Sequence, residues 1–96
     1  MPLVFEWDER KGETNFRKHG ISFDEACTVF DDPLAAIFPD ADHSMEEARE
    51  FIVGHSIVRR VVIVCFTERT KDRIRIFSAR QATRRELNDY EEHLQG

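Results

Sequence analysis

Two cysteines, three prolines and four glycines are all that this 96-residue sequence contains of the residues that staple or break a chain. Cys27 and Cys65 stand apart, each inside an apolar stretch. That pattern argues for buried free thiols in a reducing cytoplasm, against a zinc site or a disulfide framework. Proline and glycine form no cluster, so nothing marks a linker, and no internal repeat or low-complexity tract interrupts the chain. No apolar run approaches the roughly 20 residues that a bilayer crossing requires, and no charged-then-apolar segment opens the chain. A soluble cytoplasmic protein with no membrane partner is the expectation. Glycine-rich phosphate loops, dinucleotide fingerprints and a Ser-His-Asp signature are absent too, which removes the common nucleotide-enzyme and hydrolase classes and leaves no cofactor to expect.

What is present is enough apolar material for one modest core. A hydrophobic fraction of 41% with 10% aromatics supports a packed globule, and the length suits a single domain over residues 1–96. The net charge of −5 conceals an asymmetry: residues 1–58 hold five Lys/Arg against thirteen Asp/Glu, whereas residues 59–96 hold nine against six. An acidic protein can therefore present one strongly basic surface, the quantity that matters to a polyanion.

The coarse element order is β-α-α-β-β-β-β-α, an α+β domain in which two N-terminal helices and a C-terminal helix pack on an antiparallel sheet. "LVFEW" reads as the first strand. Asp8 offers an N-cap and Gly20 a left-handed stop for a helix through about Lys18, with Phe16 its only large apolar residue. Ser22 and Glu25 form a capping box for the second helix, whose Phe23, Ala26, Cys27 and Phe30 repeat at the spacing of one buried face, and Pro33 ends it. Leu34–Phe38, Arg49–Ser56, Val61–Phe66 and Arg73–Ala79 read as strands, the third apolar on both faces and so central. Thr83 and Glu86 make a second capping box before a helix lined by Leu87, Tyr90 and Leu94.

Three constellations carry possible chemistry. In the strand "KDRIRIFSAR", alternation puts Arg73, Arg75 and Phe77 on a solvent face and Ile74, Ile76 and Ser78 on the core face; Arg80 has core parity but stands at the strand end, where it is expected to emerge at the sheet edge near the cap of the last helix. Arg59 and Arg60 open the neighbouring strand, and Arg69 lies in the connection "TERTKD". From residue 59 to 85 there are eight arginines and one lysine. A merely solvated face, with cross-strand pairs to Glu50 or Glu68, would use more lysine, whereas guanidinium is the better phosphate fork and Phe77 can stack on a base. The second constellation is "NFRKHG", where Lys18 and His19 end a helix whose macrodipole favours a protonated imidazole, a proton donor near neutral pH; the plainer role is to cap the last carbonyls. The third is the acidic turn from Asp40 to Glu47, with Asp42, His43 and Glu46 between them. It is oxygen-rich enough for a divalent metal but lacks a fixed ligand spacing.

Taken together, "FEWDERKGETNFRKHGISFDEACTVFDDP", "DHSMEEAREFIVG" and "VVIVCFTERTKDRIRIFSARQATRRELNDYE" resemble the BrnT family of bacterial type II toxins over nearly the whole chain. The marks are W-D at Trp7 and Asp8, N-x-x-K-H-G at Asn15 to Gly20, D-D-P, T-E-R and the close I-R-I-x-S-A-R-x-A-T-x-x-E. The resemblance implies a RelE-like ribonuclease fold, RNA cleavage that arrests translation, and neutralisation by a BrnA-like ribbon-helix-helix antitoxin, through which alone the operator DNA is bound. Side-chain chemistry then assigns roles for a metal-free cut: Arg75 and Arg80, with Arg49 or Arg69 nearby, hold the phosphate and its transition-state charge, while His19, Lys18, His43 or Glu47 move protons. Arg59, Arg69, Arg73 and Phe77 are the expected RNA contacts. Two other readings stand beside this one: a non-catalytic module docking an acidic partner, and a metal-dependent nuclease built on the acidic turn.

Overall fold

The computed structural model describes residues 2–40 and 48–95. The elements are β1 (Val4–Glu6), α1 (Glu9–His19), α2 (Phe23–Thr28) running into a 3-10 turn (Val29–Asp31), β2 (Ala36–Pro39), β3 (Glu50–His55), β4 (Val61–Thr70), β5 (Arg73–Gln81) and α3 (Arg84–Gln95). They form one five-stranded sheet in the order β1-β5-β4-β3-β2. The four strands from β2 to β5 pair antiparallel as expected. The short β1 departs from the all-antiparallel expectation: it lies parallel to β5, with Val4 beside Arg73 and Glu6 beside Arg75. The long path through α1, α2 and β2 to β4 returns the chain to the sheet in that sense, and a three-residue strand carries no sequence mark of its direction.

Local signals set the helix ends. Asp8 caps α1 by accepting from the backbone N–H groups of Arg10 (2.9 Å) and Lys11 (3.3 Å), and Gly20 closes it at φ +70°. Thr83 and Glu86 form the complete reciprocal box at α3, at 2.9 and 3.2 Å. At α2 only half the expected box forms. Ser22 Oγ accepts from Glu25 N–H, but the Glu25 carboxylate turns away to Arg60 Nε (2.8 Å), Arg60 Nη2 (2.6 Å) and the Ser56 hydroxyl (2.7 Å). The Arg60 guanidinium beside it holds the Glu25 carboxyl below its usual value, outweighing burial. Arg60 Nη2 also donates to the Gly20 carbonyl at 2.9 Å, so Arg60 clasps α1, α2 and the β3–β4 hairpin together.

β4 is central and buried on both faces. Val62, Val64 and Phe66 join Ile74, Ile76, Ala79 and Ile52 in the main core under Ile21, Phe23, Ala26 and Val29. Val61 and Ile63 join Val53 and Tyr90 in a smaller core under α3. Each such aliphatic side chain removed from water contributes about 1.5–3 kcal/mol, which makes the first face the main source of stability. Cys27 and Cys65 are free thiols, as expected; burial, with Asp24 and Asp40 respectively, pushes both up to about 11.

The D-D-P segment also finds its reason here. Asp32 Oδ2 accepts from His55 N–H at 2.7 Å and Asp32 Oδ1 from Leu34 N–H at 2.9 Å, joining the turn before β2 to the end of β3. Gly54 makes the approach possible, since a Cβ there would lie 2.9 Å from both Asp32 Oδ2 and Ala35 Cβ. Gly54→Ala is therefore expected to cost about 1–3 kcal/mol. A thermal melt checks it; an unchanged midpoint would show that the turn yields freely.

Candidate active site

α3 covers only part of its face of the sheet. On the rest lie Arg73, Arg75, Phe77 and Arg49, joined by Arg80 for a reason alternation alone does not reveal. Cys65 pairs with Ser78 but Phe66 with Ile76, so Phe77 is an extra residue, a β-bulge. The bulge turns both Phe77 and Ser78 outward and shifts the parity by one. Ala79, not Ser78, is then buried, at 0% exposure. Arg80 consequently has the same face as Arg73 and Arg75, correcting the core parity expected for it. A second irregularity between Glu68 and Thr70 makes Arg69 an extra residue within β4 and not part of the connection, which is only the turn at Lys71 and Asp72.

Beyond Arg75, β1 ends and the edge of β5 would be left without partners. Asn15 of α1 supplies them: its Nδ2 donates to the carbonyls of Ala79 (2.7 Å) and Ile21 (2.9 Å), and its Oδ1 accepts from Ala79 N–H (3.1 Å). A buried asparagine in place of an apolar residue thus fixes α1 against the sheet. This fixes the role of Asn15 as the helix anchor. It brings the basic end of α1 to the bulge: Arg10, Lys11, Thr14, Lys18 and His19 line a groove of about 310 Å³ with Phe77 and Ser78. Across the ring of Phe77 sits the Arg49 guanidinium, 3.9 Å from its centroid.

Three arginines of the strip already hold carboxylates. Arg75 Nη1 donates to Glu6 at 3.0 Å, and Arg73 reaches the same carboxylate at 3.5 Å. Arg80 forms a bidentate fork on Glu86, 2.7 Å at each oxygen. The partners are Glu6 and Glu86, where Glu50 or Glu68 was expected. Neither was legible, since Glu6 reaches the strip only through the parallel pairing and Glu86 only through the shifted parity. The side chains of Arg75 and Arg80 remain 27% and 42% exposed, so each keeps N–H groups toward solvent while its orientation is fixed. A guanidinium held this way meets an incoming phosphate with little ordering cost.

Arg80 and the capping contacts of Thr83, which together outweigh burial, hold Glu86 at about 2. The folded value lies below the ordinary 4.5, so the stabilisation is complete above about pH 4.5 and is lost as pH falls toward 2. With 34% of the Glu86 side chain exposed, solvent screening reduces the contribution to about 1 kcal/mol. Urea midpoints at pH 5 and pH 3 should therefore converge in Glu86→Gln relative to the native chain. Equal acid dependence in both would show that the pair contributes nothing.

Not every expected residue joins the site. Arg59 lies in the β3–β4 turn at φ +66°, at the opposite end of β4 from Arg69. Eight residues of strand, Val61 to Glu68, separate them, roughly 30 Å, so the two do not hold the same phosphate. Within the acidic turn, Asp42, His43, Glu46 and Glu47 fall outside the described residues. Asp40 is buried at 4% exposure, beside the Cys65 thiol at 3.8 Å. Among the described residues no three His, Cys, Asp or Glu side chains converge as a metal site, and no helix is long and apolar enough to cross a membrane. Missed by the sequence reading were Arg10, Lys11 and Thr14, whose signal was their recurrence with Lys18 along one helical side.

No curated protein gives a significant match. Among solved structures, the chain is similar to the ribonuclease toxin BrnT of Brucella abortus, with a TM-score of 0.63 and 26% identity over 88% of this chain and 99% of that one. A family model described as the ribonuclease toxin BrnT of type II toxin-antitoxin systems matches residues 7–86. It runs from Trp7, directly after β1, to the start of α3 and takes in both the α1 groove and the arginine strip, and so the chain belongs to the BrnT family of ribonuclease toxins.

Proposed function

We propose that this protein is an endoribonuclease toxin that cleaves RNA without a metal, at the junction of the α1 groove and the arginine strip, and that a BrnA-like ribbon-helix-helix antitoxin neutralises it. The observation that carries the reading is the bulged Phe77, which lines one groove with Lys18 and His19 and carries the Arg49 guanidinium over its ring. Single-stranded RNA needs such a mixture, cations that track its phosphates and an aromatic face for a base.

In the proposed reaction the 2′-hydroxyl loses its proton and attacks the adjacent phosphorus. The P–O5′ bond then breaks, and the departing oxygen takes up a proton. Arg75 and Arg80, already oriented by Glu6 and Glu86, stabilise the charge that builds on the phosphorane, and Arg49 lies within the same strip. His19 serves at one of the two proton transfers, with Lys18 beside it. The products are a 2′,3′-cyclic phosphate and a free 5′-hydroxyl. RNA oligonucleotides test this directly: a 2′-deoxy substitution at the cleaved nucleotide should abolish cutting there, and cutting of fully deoxy strands would overturn the mechanism.

Arg75 and Arg80 have their carboxylates within the chain, which leaves less reason for an acidic partner protein to dock on them. The acidic half of the molecule meanwhile keeps RNA off the remaining surface and leaves the basic side as its approach.

A further inference from the structure

The two edges of the sheet are finished differently. On one side, β1 and Asn15 occupy the edge of β5. On the other, β2 is the last strand and no described strand pairs with its outer side. Asp40 N–H donates to the Arg49 carbonyl at 2.9 Å, and the antiparallel alternation from that pair aims the N–H and carbonyl of Ile37 outward. Pro39, two residues on, carries no N–H to leave unpaired, the usual place for proline on an edge strand.

The side chains around this edge are apolar. Leu34 is 60% exposed, Ile37 53%, Phe38 40% and Leu94 40%. Phe38 meets the His93 ring of α3 at 5.7 Å, which brings the end of that helix to β2. Behind Phe38 lies a cavity of about 240 Å³ walled by Phe51, Val53, Ile63 and Tyr90, with Arg80, Glu86 and Asp89 at its rim. This gathers on one edge what a solvated strand avoids.

Charge decides the occupant. Glu86 at the cavity is already matched by Arg80, but Glu50 stands beside Pro39 in the β2–β3 register and Asp89 borders the cavity. A second copy of the chain would bring these carboxylates against their own images, whereas a chain rich in lysine or arginine would neutralise them. We propose that the β2 edge and the cavity behind Phe38 form the docking face for an extended segment of the antitoxin, one that presents alternating aliphatic side chains flanked by basic residues. The segment pairs with Ile37 as an added strand and seats an aliphatic anchor beside Tyr90. At the cavity rim it meets Arg80, and so reaches one end of the arginine strip. The proposal rests on membership of the toxin family, not on the metal-free mechanism.

Titration calorimetry of the purified toxin with its cognate antitoxin tests it, using Ile37→Lys and Leu34→Lys, with Phe16→Lys as a control at an exposed residue of α1. The expected result is a loss of affinity of about 30-fold or more for each edge variant, none for the control, and RNA cleavage by the free variants as in the native toxin. Slowed hydrogen exchange at the Ile37 amide in the complex should accompany it. Unchanged affinity in both edge variants would overturn the proposal. So would a free toxin that sediments as a dimer and becomes a monomer in Ile37→Lys, which assigns the face to a second copy. Cleavage lost with antitoxin affinity intact would assign it to RNA. Failure of the native toxin to cut RNA would leave the affinity comparison readable, since it uses no activity.

Discussion

Asn15→Ala is expected to be the most destabilising single change in α1, at about 3 kcal/mol or more. The side chain satisfies the carbonyls of Ile21 and Ala79 and the N–H of Ala79, and its removal leaves buried backbone groups unpaired at about 1–3 kcal/mol each. A domain of this size is stable by only about 5–15 kcal/mol, so the loss is a large fraction of the total. The consequence reaches the site as well, because α1 carries Lys18 and His19 to Phe77. Asn15→Asp should be nearly as costly: it keeps one acceptor but loses both donated hydrogen bonds and buries a carboxylate. Urea denaturation of the two variants checks this. A midpoint within experimental error of the native one would show that water replaces the asparagine and that α1 is held by other contacts.

The second large effect is on rate. Arg75→Ala and Arg80→Ala are each expected to lower RNA cleavage by about 100- to 1,000-fold, the usual cost of removing one preorganised donor to developing charge. Their cost in stability should be much smaller, for physical reasons visible in their partners. Glu86 keeps its capping bonds to Thr83 when Arg80 is gone, and Glu6 keeps Arg73 when Arg75 is gone. A purely structural pair of arginines would show the reverse, a lower melting point with the cleavage rate retained. Glu86→Gln separates orientation from charge: it leaves Arg80 in place without its fixed fork, so cleavage should fall less than in Arg80→Ala while the rate still drops.

The sequence made legible whatever depends on near neighbours. Asp8, Gly20 and the Thr83–Glu86 box announce helix ends because the bonds involved span two to four residues. The doubly apolar run from Val61 to Phe66 announces a central strand because burial on both faces removes alternation. The strip of Arg73, Arg75 and Phe77 was readable for the same reason. Beyond Phe77 the reading failed, since a bulge is a property of two strands in register and this one carries no glycine or proline to mark it. Arg80 therefore showed core parity and could be brought outward only by the end of the strand, and its partner Glu86 was seen only as a cap. Arg59 looked like part of the basic cluster because it is close in sequence to Arg60, yet the length of β4 carries it away. Asn15 was singled out by its motif, but its work on Ala79, sixty-four residues along the chain, had no local signal at all.

The most direct test of the central claim is cleavage of a purified RNA by the purified protein in excess EDTA, beside Arg75→Ala and Arg80→Ala proteins shown by circular dichroism to be folded. A native protein that cuts in EDTA, with both variants slowed at least about 100-fold, is the predicted result. Cutting that stops in EDTA and returns with magnesium, or folded variants that cut at the native rate, would contradict it.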